Sequence, residues 1–219
     1  MRSREFIFWE VDVQADFMLP GGKLYVPGAE KLLCNIRKLT DAARRHGVLV
    51  VSHGCFHVVD DPEFAQFPPH CIKGTSGAEF VPEALLDAHF RLENHRSRKL
   101  PEDFSKYPQI ILEKQTLDIF ESEHAHNLVE RLEHDAEFVV FGVVTEFCVR
   151  LAAKGLLERK RRVSIVRDAI ETLVPEAGER ALAELVSLGA RLVTTDEILA
   201  RVAAATTPLG SKQHARDRS

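Results

Sequence analysis

No hydrophobic run in this sequence is long enough to cross a membrane: the longest, Phe138–Val144, falls far short of the roughly 20 residues a spanning helix needs. Nor does one charge dominate. Lys and Arg number 29 against 33 Asp and Glu, for a net charge of −4, which argues against nucleic acid or an anionic membrane as partner. The four cysteines, Cys34, Cys55, Cys71 and Cys148, have no framework spacing. The opening MRSREFIFWEVDVQADF runs from basic residues into a strand-like pattern containing acids, with no apolar signal region. Free thiols in a reducing cytoplasm are therefore expected, rather than disulfides. Internal repeats and low-complexity blocks are also missing. The one basic cluster, Arg159-Lys160-Arg161-Arg162, follows Glu158 and reads as a helix C-terminus, where cations favour the helix dipole.

What is present is a regular alternation over 219 residues that are 45% hydrophobic and 28% charged. Short apolar runs occur at Phe6–Val11, Val48–Val51, Gln109–Leu112, Phe138–Val143, Val163–Val166 and Arg191–Val193. Helical spacing fills Ala29–His46, Ala125–Glu133, Phe147–Glu158 and Glu176–Leu188. Near-continuous apolar strands between amphipathic helices indicate a parallel sheet covered on both faces. The expected fold is α/β: a three-layer α/β/α domain with a mostly parallel, six-stranded sheet, spanning residues 1–204. Residues 53–107 read as loops with one short helical stretch around Pro82–Ala88, and 205–219 as a disordered tail. Trp9 and the side chains of Cys34 and Cys71 are expected to pack in the interior.

Ligands in open α/β sheets bind beyond the carboxyl ends of the strands. Reading those ends gives Asp12, then a Cys/His cluster in SHGCFH, then Lys114, then Cys148 within GVVTEFCV. An acid, a lysine and a cysteine that converge are what a thiol hydrolase requires. Cys148 near a helix start is expected to have a lowered pKa, with Lys114 acting in the same sense. Asp12 can take the thiol proton and return it to a leaving amine. The backbone N–H groups of Val144 and Cys148 can hold an oxyanion. A separate question is whether Cys55, His57 and His70, with Glu63 between them, form a metal site.

Four blocks carry a family resemblance: DVQADFMLPGGKLYVPG (Asp12–Gly28), FPPHCIKGTSGAEF (Phe67–Phe80), LEKQTLDIF (Leu112–Phe120) and GVVTEFCV. In order and spacing they resemble nicotinamidases, within the isochorismatase-like cysteine hydrolases. The resemblance runs from about Phe6 to Asp168. It implies Asp12, Lys114 and Cys148 as a catalytic triad and a cis peptide at Val143–Val144. It also implies hydrolysis of a small nicotinamide-like amide through a thioester, a homo-oligomer, and no organic cofactor.

The same resemblance places a divalent-metal site at Cys55, His57, Glu63 and His70, and an aromatic substrate pocket at Phe17 and Phe67. Cys55 stands where the family has aspartate. A thiolate ligand favours zinc over manganese or magnesium; the alternative is a site that binds no metal. Three functions stay open: this amidase, a related C–N hydrolase of a carbamoyl or ureido compound, and a catalytically idle metal-binding module. Isochorismatases proper are disfavoured, since the resemblance implies that they lack the nucleophilic cysteine.

Overall fold

Strand β1 (Phe6–Val11) is buried along its whole length, with Phe6 and Phe8 packed on one face of a sheet and Ile7, Trp9 and Val11 on the other. A strand covered on both sides reads as a continuous apolar run, because both sets of alternate side chains lie in apolar surroundings. The computed structural model describes residues 5–206, with Ser105 described by its backbone alone. Around β1 stand β2 (Leu49–Cys55), β3 (His89–Leu92), β4 (Gln109–Lys114), β5 (Glu137–Gly142), β6 (Arg162–Ile170) and β7 (Arg191–Val193). They form one sheet in the order β3-β4-β2-β1-β5-β6-β7, and every neighbouring pair is parallel.

After a single turn of helix, α1 (Ala15–Met18), the longer helices are α2 (Leu33–His46), α3 (Glu123–Arg131), α4 (Arg150–Glu158), α5 (Pro175–Ser187) and α6 (Thr195–Thr206). Helices α2 and α6 cover one face of the sheet; α3, α4 and α5 cover the other. Helix α2 buries Ile36, Leu39 and Ala43, a stripe at helical spacing, and stops at Gly47 in the left-handed region (φ 68°). No helix among the described residues is long and apolar enough to cross a membrane. The basic cluster is indeed a helix end: Arg159 Nη1 donates to Gly155 O of α4 at 2.7 Å, and Arg161 turns inward to donate to Val129 O at 2.6 Å.

Three differences from the sequence reading have physical causes. The sheet has seven strands, not six, because β3 is a short edge strand: HFRL has one fully buried residue, and a charged edge carries no apolar run. Strand β2 continues past Val51 to Cys55 with all seven residues buried, so SHGC is strand rather than loop. Its polar groups are satisfied inside, Ser52 Oγ donating to Glu10 Oε2 at 2.6 Å and accepting from Gln109 Nε2 at 2.8 Å. Helix α6 was not anticipated, since Ile198 and Val202 are its main buried apolar anchors. Arg201 on that helix pairs with Glu137 of β5 at 2.5 Å. The expected tail lies outside the described residues, except for Ala205 and Thr206, which complete α6.

Glu10 is fully buried in mid-sheet, and one of its oxygens, Oε1, has no hydrogen-bond partner. Burial, partly offset by the Ser52 bond, raises its pKa from 4.5 to about 8. Between those values the folded chain holds a proton that the unfolded chain releases, so stability falls as pH rises through that window, by up to about 1.4 kcal/mol per pH unit. In Glu10→Gln this decline should flatten, leaving the variant better off relative to wild type at pH 9 than at pH 5 in urea unfolding. Parallel pH profiles for the two proteins would show that Glu10 does not titrate in this way.

Candidate active site

Strand order reverses beside β1: the chain builds β2, β4 and β3 on one side, then β5, β6 and β7 on the other. The carboxyl ends of β1, β2, β4 and β5 therefore meet at one crevice. Asp12 leaves β1 with a left-handed backbone (φ 52°), a conformation that costs a non-glycine residue about 1–2 kcal/mol. Its N–H is held by His53 O at 2.9 Å. Across the reversal, Gly142 lies so close to β1 that an added Cβ would stand 2.0 Å from Val11 O. Only glycine permits that approach, which seats GVVTEFCV directly beside Asp12.

The three residues of the expected triad come together. Lys114 Nζ lies 3.1 Å from Asp12 Oδ2 and donates toward Cys148 Sγ at 3.7 Å. It also donates to Cys55 Sγ at the shorter distance of 2.9 Å, which corrects the sequence reading that Cys55 lacks the nearby lysine that Cys148 has. Asp12 and Lys114 are each about 1% exposed. Burial pushes the Asp12 carboxyl up, yet the Lys114 charge and the neighbouring His53 and Cys148 outweigh it and bring its pKa to about 2. Neither Asp12 oxygen is tied up in a well-aligned hydrogen bond among the described residues.

Cys148 corrects one expectation. It sits in a single π-helical turn, Thr145–Val149, immediately before α4. Its thiol pKa is raised well above the ordinary value, first by burial and then by the adjacent Asp12, with Lys114 opposing. Desolvation outweighs the helix start and the lysine.

The Val143–Val144 peptide is cis. Val143 N–H donates to Val11 O and Thr145 N–H to Glu171 O, so the segment is pinned on both sides of Val144. Val144 and Cys148 both line a cleft above Asp12. Phe17 and Phe67 line it as expected, joined by Phe147, Leu24, Val26, Leu117 and Leu173. Phe67 meets Phe147 edge-on with ring centroids 6.3 Å apart. No Lys or Arg is among the described residues that line the cleft.

At one side of the cleft, ligand atoms of Cys55, His57 and His70 lie within 4.8 Å of one another. Residue 70 reaches residue 57 because Lys73 N–H donates to His57 O and His57 N–H to Cys71 O. Glu63 Oε1 is 3.9 Å from Nε2 of both histidines, so three of the four expected ligands form one group and Glu63 stands beside its two histidines. The fit to a cation is testable on the ring nitrogens. His70 Nδ1 faces Pro68 O at 2.8 Å; a carbonyl only accepts, so Nδ1 carries the proton and Nε2 a lone pair. Both ring nitrogens of His57 are buried with no hydrogen-bond partner among the described residues. One lone pair on His70, a second buried imidazole with an unpartnered nitrogen, a sulfur and a nearby carboxylate suit a divalent ion of borderline softness. Without one, burial, with Asp12 adding and Lys114 opposing, pushes the Cys55 thiol up to about 12.

Other contributors escaped the sequence reading. Gln14 holds Cys55 by both backbone groups, donating to its O and accepting from its N–H at 2.7 Å each. Its only signal was a polar residue two places after Asp12. Asp16 fixes the loop that carries His70 by accepting from Cys71 N–H at 2.7 Å. Among the remaining cysteines, Cys71 packs as expected, but Cys34 is exposed, since its position on α2 lies off the buried stripe.

Comparison with known proteins agrees with this geometry. The isochorismatase domain model matches residues 10–98 and 85–197. The nicotinamidase of Escherichia coli K12 is 23% identical over 206 residues, 84% of this chain and 92% of the relative. A probable inactive nicotinamidase from Arabidopsis thaliana is also 23% identical, over 90% of this chain and 95% of its own. Among solved structures, the pyrazinamidase of Pyrococcus horikoshii in complex with zinc shares 30% identity, with a TM-score of 0.68 over 87% of this chain and 99% of that one. A family model spanning most of the chain, with a solved relative at that identity, leaves one assignment: the chain is a nicotinamidase-like member of the isochorismatase family.

Proposed function

We propose that this protein is a cysteine-dependent amidohydrolase that converts a small, uncharged ring amide to its acid and ammonia. The observation that carries the reading is the buried ammonium of Lys114, in reach of Asp12 and Cys148, both of which line an apolar cleft. A relative described as inactive matches this chain as well as an active one does, so the activity is argued from the site.

Asp12 accepts the Cys148 proton as the sulfur attacks the amide carbon. The raised thiol pKa ties this transfer to substrate arrival rather than to a resting thiolate. Backbone N–H groups of Val144 and Cys148 hold the oxyanion. Asp12 then passes the proton to the departing nitrogen, leaving a thioester on Cys148 and releasing ammonia. Water, deprotonated by Asp12, cleaves the thioester and restores the thiol. Lys114 remains protonated throughout and keeps Asp12 ionised between turnovers. Phe17, Phe67 and Phe147 hold a flat ring, each offset or edge contact contributing on the order of 1 kcal/mol.

Cys55, His57, Glu63 and His70 would hold one divalent ion, zinc by the softness of the sulfur. Bound there, it supplies a Lewis-acid anchor for a ring nitrogen of the substrate. The idle-module reading leaves a fully buried Asp12–Lys114 pair beside Cys148 without a use, and such a pair is weak evidence for stability alone.

Cys148→Ala should abolish amide hydrolysis and Asp12→Asn should slow it by about 10²–10⁴-fold, with folding checked by circular dichroism. Turnover by Cys148→Ala would exclude it as nucleophile. Because the cleft is lined mainly by apolar side chains, with no Lys or Arg among the described residues that line it, nicotinamide should exceed an N-carbamoyl amino acid in kcat/KM. The reverse preference would favour the carbamoyl reading. Protein purified without chelator should contain zinc, and Cys55→Asp should shift its metal content toward manganese or iron. Unaltered metal selectivity in that variant would remove Cys55 from the ligand set.

A further inference from the structure

Asp61 belongs to none of the sets described so far, yet it touches two members of the candidate metal group. It is 8% exposed, and its two carboxylate oxygens go to different partners. Oδ2 lies 3.0 Å from His57 Nδ1, an electrostatic contact rather than an aligned hydrogen bond, since neither ring nitrogen of His57 has a hydrogen-bond partner among the described residues. Oδ1 accepts from Glu63 N–H at 3.0 Å, capping the short 3₁₀ turn Pro62–Ala65 on which Glu63 rides. The sequence rule for such a cap is an acid followed by proline at the first helical position, which Asp61-Pro62-Glu63 obeys. The contact to His57 has no counterpart in that rule.

We infer that Asp61 is the positioning residue of the metal site, setting the tautomer of His57 with one oxygen and the approach of Glu63 with the other. A neutral imidazole carries one proton on two nitrogens. A carboxylate beside Nδ1 draws the proton there and leaves the lone pair on Nε2, the atom that faces Glu63 Oε1 at 3.9 Å. Pro68 O imposes the same choice on His70. Both rings then present Nε2 to one point beside Cys55, each through a partner fixed by the loop. Carboxylates that hold a ligating histidine in this way act through its orientation and basicity. The inference rests on the metal-site reading above and adds a residue to it.

The experiment separates the two functions of Asp61 and needs no turnover. In Asp61→Asn the side-chain oxygen can still cap Glu63 N–H, as asparagine caps well, but the amide group turned to His57 Nδ1 donates and drives the proton to Nε2. On metal-free protein labelled with ¹⁵N-histidine, long-range proton–nitrogen spectra should show His57 protonated on Nδ1 in wild type and on Nε2 in Asp61→Asn. Cobalt and zinc affinity, measured by chelator competition, should fall about 10–100-fold in Asp61→Asn, with a further loss in Asp61→Ala, which lacks the cap as well. Wild-type affinity and an unchanged tautomer in Asp61→Asn would overturn the role given to Asp61 while leaving the metal site standing. Failure of the wild type to take up either metal would overturn the metal site and this inference with it.

Discussion

The site depends on one buried ammonium. Lys114 stands at the end of β4, about 1% exposed, where a charge without partners would cost several kcal/mol. Its partners arrive from three other strand ends: Asp12 after β1, Cys55 at the end of β2, and Cys148 after β5. Burial alone would lower the Lys114 pKa, but the Asp12 carboxylate leads the groups that hold it well above the ordinary value. That charge in turn keeps Asp12 ionised and open to a proton. The parallel sheet, the reversal of strand order at β1 and the close approach at Gly142 all serve to assemble this contact.

Lys114 also joins two sites that the sequence presents as separate. Its shortest contact is to Cys55, a member of the Cys55, His57 and His70 group. The candidate metal ligands and the proposed nucleophile are therefore neighbours through one lysine, and Cys55 and Cys148 line the same cleft. Gln14, Asp16 and Asp61 hold the backbone and rings of that group from behind. Sulfur at position 55 changes the chemistry of the group without dismantling it.

The apolar runs made most of the fold legible, since strands buried on both faces betray themselves by composition alone. Strand β3 did not, because Arg91 within it pairs outward with Glu113 at 2.9 Å and breaks the run. The triad residues were legible from their places after the runs, reinforced by the resemblance. Metal-ligand spacing was legible only through the resemblance, for the bridge between the His57 and Cys71 backbones leaves no mark in the residues themselves. The Cys148 thiol was misjudged for a related reason: a helix start can be read from sequence, whereas the desolvation that outweighs it comes from packing of the whole crevice. Phe147 and Leu173 escaped notice because an apolar residue at a helix start or in a loop reads equally well as core.

The central claim is that Cys148 carries the acyl group. The most direct measurement is mass spectrometry of protein quenched in acid during turnover of a slowly released ring amide, followed by proteolysis. The account predicts an added acyl mass on the peptide containing Cys148, appearing with the first ammonia released and decaying as acid forms. Acyl mass on the peptide containing Cys55, or ammonia release with no protein-bound acyl group at any time during the burst, would contradict it.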